Sequence, residues 1–348
     1  MLNNGGLLFI GNFLPAPRHN KNVWHFLAEK LAETGWSVIT TSNEEHQLLR
    51  LVDMLLTIWR ERRSYQVAHI DVFSGKAFIF AQLSTILLKW LKKPIILTLH
   101  GGGLPEFADK HHDSVNKVLM CADAVVTPSA YLQADFIQIR PDIILIPNPI
   151  NTAEAIYRER KEAAPRLIWV RAFHQIYNPS MAVRVLYELQ NEFPQIHLYM
   201  LGPDKGDGSL EEVLMLSDEL GVRSKLQVLG HVPHDKVSHW LNMADIFINT
   251  SNYDNAPSSL LEAMANGLCV VTTNVGGIPS MASDGVEAML VEPKDFQAMA
   301  SAITKILRDP SFANHLSANA RRKAEQYNWT VILPQWERLL SSVISQDS

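Results

Sequence analysis

The chain has 348 residues, 47% of them hydrophobic and 19% charged, with a formal net charge of −5. Its length suits two soluble globular domains with ample core, and its negative balance argues against a dedicated nucleic-acid binder. Cys121 and Cys269 both sit in apolar surroundings, which favours buried thiols over a disulfide. From the start, residues 6–13 read as a buried strand, followed by a loop at 14–21 with Pro15, Pro17, Arg18 and His19. Val23, Phe26, Leu27 and Leu31 mark one face of a helix that Gly35 ends. Residues 36–41 are a second strand. Residues 48–59 are a strongly apolar helix with Arg60, Arg62 and Arg63 at its C-terminus, where positive charge suits the dipole. Further short apolar strands are expected at 67–73, 94–100, 124–128 and 143–147. The longest apolar segment, 77–91, is interrupted by Gln82, Ser84, Thr85 and Lys89 and is short for a bilayer, so it reads as a packed helix.

Residues 148–165 form a natural boundary, with a turn signal at Asn148-Pro149 and a charged run at 157–162 that suits a linker. After it the alternation restarts, with strands at 166–170, 196–201 and 226–229 and helices from Pro179, from Ser209 and near 235–243. Strands alternating with helices imply parallel sheets covered on both faces. Two doubly wound units are therefore expected, and ligands in such sheets sit at the carboxyl ends of the strands. The boundaries read from the sequence are 1–150, 151–326 and a final helical segment at 327–348 with Trp329, Trp336, Leu339 and Leu340 on an apolar stripe.

The most informative stretch joins a strand at 246–251 to another at 269–273. It reads Asp254-Asn255-Ala256-Pro257-Ser258-Ser259-Leu260-Leu261-Glu262-Ala263-Met264-Ala265-Asn266-Gly267. Pro257 suits a helix start and Gly267 its end. Two acids flank the start of that helix, whose unpaired N–H groups, beside Ser258 and Ser259, could cradle a phosphate. Carboxylates next to an anion site suit sugar or ribose hydroxyls. The plain alternative is an ordinary loop and helix with Glu262 on a solvated face.

This stretch resembles the acid-x7-acid signature of the family-four retaining glycosyltransferases, the glycosyl transferases group 1, usually Glu-Gly-Phe-Pro-x-x-x-Leu-Glu-Ala-Met-Ala-x-Gly. Asp254 stands at the first Glu. Residues 270–279 and 284–293 resemble the family as well. The resemblance implies the GT-B fold, two Rossmann-like doubly wound domains facing across a cleft. The first would bind the acceptor and the second the nucleotide-sugar, with the final helix packing back on the first. It implies transfer of a sugar from a UDP- or GDP-linked donor to a saccharide, lipid-linked or small-molecule acceptor, with retention at the anomeric carbon and no metal or other cofactor.

Residue roles follow from the same resemblance. Arg171 matches the Arg of the family's Gly-Arg-x-x-x-x-Lys run that holds the diphosphate, whereas Val170 replaces the Gly and Ile176 the Lys; His174 or Gln175 could substitute as donors. Glu262 would hold the ribose, and Asp254 the donor-sugar hydroxyls. Asn255, Ala256, Pro257, Ser258, Ser259 and Leu260 would line the donor site. His100, before Gly101-Gly102-Gly103, matches the active-site His of the first domain. Gly11 and Asn12 occupy the place of an early glycine-rich loop, with Arg18 and His19 as candidates for the rest of its role. His231 and Val232 lie in a Gly-x-Val-Pro turn that resembles the one meeting the nucleotide base.

Other chemistry finds no fingerprint. No Gly-x-Gly-x-x-Gly follows a strand, Ser74-Gly75-Lys76 lacks P-loop spacing, and there is no Gly-x-Ser-x-Gly elbow. Residues 204–208 read as a surface turn rather than a calcium loop, and His111-His112-Asp113 as a solvated helix start rather than a metal site. Residues 1–6 carry no basic residue ahead of an apolar run, so no signal peptide is expected and the chain is assigned to the cytoplasm or the inner face of a membrane. Residues 1–150 hold 14 Lys and Arg against 13 Asp and Glu, a net of +1, and the rest 17 against 23, a net of −6. The first part would approach an anionic surface more easily, so peripheral membrane association stays open, as does the oligomeric state. Two rival functions are a sugar-nucleotide epimerase of the same fold and a non-catalytic nucleotide-sugar-binding protein.

Overall fold

A computed structural model describes residues 5–13 and 23–346. Arg18 and His19 lie outside the described residues. The chain divides into two units, Met1–Pro149 with Trp329–Ser348, and Ile150–Asn328.

The first unit holds strands β1 (Gly6–Ile10), β2 (Ser37–Thr41), β3 (Val67–Val72), β4 (Ile95–Leu99), β5 (Ala124–Thr127) and β6 (Ile144–Leu145). They form one parallel sheet in the order β2-β1-β3-β4-β5-β6. Because side chains alternate across a strand, β1 and β3 each feed two cores. Leu8, Ile10, Ala68, Ile70 and Val72 face one side, against Met54, Ile58, Phe78 and Leu88 of the helices Gln47–Arg60 and Phe78–Trp90. Leu7, Phe9 and Val67 face the other, against Trp24, Leu27 and Leu31 of the helix Val23–Glu33 and Ile332, Trp336 and Leu340 of the helix Trp329–Gln346.

The second unit holds β7 (Arg166–Val170), β8 (His197–Leu201), β9 (Leu226–Gly230), β10 (Ile246–Asn249), β11 (Cys269–Thr273) and β12 (Met289–Val291). Its sheet is also parallel, in the order β12-β11-β10-β7-β8-β9. Leu167 and Trp169 pack on one side with Ile246, Ile248 and Val271, and Ile168, Phe247 and Val270 on the other. Both units are thus of the expected doubly wound α/β class. In each, strand order reverses once, between β1 and β3 in the first sheet and between β7 and β10 in the second. In sheets of this kind ligands are bound outside the carboxyl ends of the strands, at such a switch point.

One local expectation needs correction. The charged run at 157–162 is no solvated linker throughout: Arg160 is fully buried. It donates to the carbonyls of Ala244 (2.8 Å) and Asn266, and its Nε lies 3.5 Å from Asp245, which Arg158 and Arg166 also engage at 2.5 and 2.6 Å. Asp245 precedes β10 and Arg166 opens β7, so Arg158 and Arg160 bind the linker to the amino-terminal end of these central strands, opposite the carboxyl ends. The packed helix expected at 77–91 is found at Phe78–Trp90, where Phe78, Ala81 and Leu88 enter the core while its outward residues include Ile79, Ile86 and Trp90.

Candidate functional site

In the second unit the loops after β7 and β10 meet at the switch point. Arg171 directly follows β7. Its Nη2 is ion-paired with Asp254, 83 residues later, and its guanidinium lies 4.9 Å from the centre of the Tyr177 ring. Both partners are largely buried, with the Arg171 side chain 17% exposed. Arg171 Nε is buried and has no hydrogen-bond partner within the protein. A guanidinium offers five donors in a planar fork, and Asp254 and Tyr177 fix its plane. Asp254 is itself held: its carbonyl accepts from Gly277 N–H at 3.0 Å, and Ser251 Oγ lies 3.3 Å from its carboxylate.

The loop carrying Arg171 is tied down along its length. Gln175 N–H donates to Asp207 (2.8 Å), Asn252 N–H to the Ile176 carbonyl (2.8 Å), and Thr250 Oγ1 to the Tyr177 carbonyl (2.8 Å). Trp169 Nε1 in turn donates to Thr250 (3.0 Å). His174 is spent on the same loop: its Nδ1 accepts from Ile176 N–H at 3.1 Å, and its Nε2 faces Asp207 at 3.8 Å. Ile176, where the resemblance calls for Lys, is exposed. Residues 204–208 form a turn, and Asp207 is its working member.

The helix Ser258–Ala265 begins at Pro257, and no side chain caps it. Leu260 is buried in the core, and its N–H is taken by the Pro257 carbonyl at 3.2 Å. The available donors at the helix start are therefore at Ser258 and Ser259, and Ser259 Oγ is buried without a partner in the protein. Asn255 and Ala256 are half-buried in the loop between Asp254 and Pro257. Glu262, a turn into the helix, lies 3.3 Å from His234 Nε2. That hydrogen bond to Glu262 raises the His234 pKa above its ordinary value, against partial desolvation. His234 opens the helix His234–Met243, just past the turn with His231, which is exposed, and Val232, which packs against the core.

In the first unit the carboxyl ends of β1, β3 and β4 bring Gly11, Asp71 and His100 together. His100 Nε2 bonds Asp71 at 3.1 Å, and both side chains are buried. The imidazole sits between Trp24 and Phe73, with ring centres 4.8 and 5.0 Å away. A Cβ on Gly11 would fall 2.4 Å from Asp71 Oδ2, so Gly11 makes room for the carboxylate. Asn12, next to it, is exposed. Gly101 has a φ of +77° with open space around it, so it serves the turn after His100. His111 and His112 begin the helix His112–Cys121. Among the described residues no group of three or more His, Cys, Asp or Glu is placed to hold a metal ion.

Sequence reasoning missed Asp71, His234, Tyr177 and Asp207. Asp71 carried a signal, an acid inside the otherwise apolar run Val67-Ala68-His69-Ile70-Asp71-Val72. His234 and Asp207 become visible only when separate segments meet, and Tyr177 only when the loop after β7 folds its ring against Arg171.

Two family profiles match this chain: one described as glycosyl transferases group 1, over residues 154–323, and one as glycosyltransferase family 4, over residues 22–154. Among curated relatives, a D-inositol 3-phosphate glycosyltransferase of Thermobispora bispora is 23% identical over 81% of this chain and 72% of its own length. An uncharacterized glycosyltransferase of Methanocaldococcus jannaschii is 32% identical over 36% of this chain and 32% of its own. The chain thus spans about a third of one relative and under three quarters of the other. Among solved structures, Anabaena HepE in complex with UDP aligns with a TM-score of 0.80 at 16% identity, over 97% of this chain and 99% of that one. Sucrose-phosphate synthase of Thermosynechococcus elongatus aligns at 0.77 with 19% identity, over 98% and 100%. At such identities these likenesses show the fold.

Proposed function

Because the chain belongs to the group 1 glycosyltransferases, we propose that it moves a hexose from a UDP- or GDP-linked donor to an acceptor with retention of anomeric configuration and without a divalent metal. The observation that carries this reading is Arg171: a largely buried guanidinium, oriented by Asp254 and Tyr177 at the switch point of a doubly wound sheet, with its side chain still 17% exposed. A leaving diphosphate gains charge as the sugar bond breaks. A fixed guanidinium therefore stabilises the transition state more than the ground state. The N–H groups at Ser258 and Ser259, at the start of the helix, supply the remaining positive end. Glu262, adjusted by His234, holds the ribose, and Asp254 orients Arg171 as well as the donor sugar. In the first unit His100, fixed by Asp71, serves the sugar. The acceptor oxygen bonds the anomeric carbon on the face the phosphate leaves. The phosphate oxygen takes the acceptor proton, and the C–O bond to phosphate breaks. Structures with UDP and with UDP-glucose, described for HepE, favour a uridine donor. The relatives' names leave the acceptor open between a saccharide, a lipid-linked sugar and a small metabolite.

One observation favours a second reading, a binding protein without turnover: Arg171 is paired to Asp254, and Ile176 replaces the expected Lys. NMR of UDP- and GDP-hexose conversion by the full chain in excess chelator separates the possibilities. Transfer or slow hydrolysis with the donor's anomeric configuration is expected, and Arg171→Ala should lower it ~100-fold, the scale of losing one preorganised donor. Arg171→Lys should rescue only in part, because an ammonium lacks the fork. An inverted product sinks retention, and activity restored only by manganese sinks metal independence. A new sugar-nucleotide without a new glycosidic bond means an epimerase. Tight binding without turnover means a binding protein.

A further inference from the structure

Besides the apolar residues that they bury against the sheet, the helices Gln47–Arg60 and Phe78–Trp90 carry a second apolar stripe on their outward faces. A surface helix normally buries its apolar stripe and shows polar residues outward. On the first helix Leu48, Val52, Leu56 and Trp59 recur at helical spacing and are exposed, Leu48 at 70%. On the second, Ile79, Ile86 and Trp90 form a matching outward stripe, with Trp90 68% exposed. The same helix points Ser84 and Thr85 inward, fully buried, and their hydroxyls have no partner. Trp59 and Trp90 stack on each other, 5.4 Å between centres, and so join the two stripes into one patch. Contiguous exposed apolar area of this kind marks a contact surface.

The charges beside the patch identify its occupant. Arg60, Arg62 and Arg63 follow Trp59, and the Arg62 guanidinium lies 4.4 Å above its ring. Lys89 and Lys92 flank Trp90, and both are exposed. The nearby acids are Glu61 and Asp123, the latter 4.0 Å from Lys89. Cations therefore outnumber anions at the tryptophan end. A second copy seated on the same patch in a two-fold contact would set two basic rims against each other. An anionic bilayer accommodates both features: apolar side chains and tryptophans enter the headgroup boundary while Arg and Lys meet lipid phosphates. Among the described residues no helix is long and apolar enough to cross a membrane, so the contact would be peripheral.

We infer that the outward face of these two helices docks the protein on an anionic lipid surface. The inference stands on this patch alone and not on which sugar is moved. The test is flotation of the full chain with vesicles of phosphatidylcholine, with and without phosphatidylglycerol. The protein is expected to float with the anionic vesicles, with a blue-shifted tryptophan emission, and to be released by high salt. The pair Leu56→Glu and Trp90→Glu should cut the bound fraction about tenfold or more, and so should Arg60→Glu with Arg63→Glu. Thermal midpoint and affinity for a nucleoside diphosphate should stay unchanged in both pairs, which separates lost docking from a lost fold or a failed donor site. Undiminished flotation of both pairs would overturn the inference. So would a chain that ignores vesicles but sediments as a dimer that the Leu56→Glu and Trp90→Glu pair disperses.

Discussion

His69 shows what a single buried polar residue can impose. It lies inside β3, 1% exposed, with Nε2 2.7 Å from Thr98 Oγ1 and its ring against Phe9, Trp24 and Trp336. Desolvation dominates the nearby Asp71 charge and lowers its pKa from 6.5 to about 4. The unfolded chain binds a proton on this imidazole below its ordinary value, while the folded one does so only near the lowered value. Stability from this group is therefore complete above 6.5 and is lost as pH falls toward about 4. The loss is on the order of 3 kcal/mol, a large share of a typical domain's stability. Unfolding midpoints of the native chain and His69→Gln should be compared from neutral pH to about 4. The native protein should lose more, and equal slopes would mean that His69 titrates as it does in the unfolded chain. His69 and Asp71 are two residues apart on one strand, yet only Asp71 bonds His100. A run that reads as an apolar strand hides this difference, because the period tells which side a residue faces and not what waits there.

At the scale of elements, the alternation of strands and helices was legible because each strand is a short apolar run and each helix carries its own stripe. The stretch from Asp254 to Gly267 was legible because strand, loop, helix start and helix stop follow one another without interruption. The Arg171–Asp254 pair was not, since its partners sit on loops that only the β7–β10 pairing brings together. Nor was the burial of Arg160, for a charge run looks solvated until Asp245 and three carbonyls are placed around it. The same β7 loop depends on a glycine of the next strand's end. Gly202 has a φ of +145°, and a Cβ there would lie 1.7 Å from the Arg171 carbonyl oxygen. No side chain fits without moving the Arg171 backbone. Gly206, a few residues on, has a φ of +71° but open space around it. Gly206→Ala should therefore cost about 1 kcal/mol of strain, whereas Gly202→Ala should cost more and also weaken nucleoside diphosphate binding. Equal effects of the two substitutions, by thermal melts and titration calorimetry, would mean that the Arg171 loop adapts freely.

For the whole molecule, the two units differ in how the chain builds them. The second is continuous and closed by its own ends: Ile150 N–H donates to the Tyr327 carbonyl at 2.9 Å, and Asn328 bonds Thr152. The first is assembled from both ends of the chain, since Ile332, Trp336, Leu339, Leu340 and Val343 of the last helix complete one of its two cores. Each fully buried apolar side chain of this size is worth roughly 1.5–3 kcal/mol. Five of them sum to roughly 10 kcal/mol as an upper estimate, comparable to the whole stability of a domain. Removing them also strips Trp336 from His69 and Trp24, 5.5 and 5.8 Å away between ring centres, and exposes a buried imidazole beside open core. A chain ended at Asn328 should therefore lose the first unit and keep the second. Calorimetry should show one cooperative transition in place of two, and amide exchange should show β1 and β3 unprotected while β7 and β10 stay protected. Nucleoside diphosphate affinity should persist, because Arg171, Asp254, Ser259 and Glu262 all belong to the surviving unit. If both units unfold together on truncation, the second does not stand alone. If the first stays protected, the helix Trp329–Gln346 is dispensable to its core despite the side chains it buries.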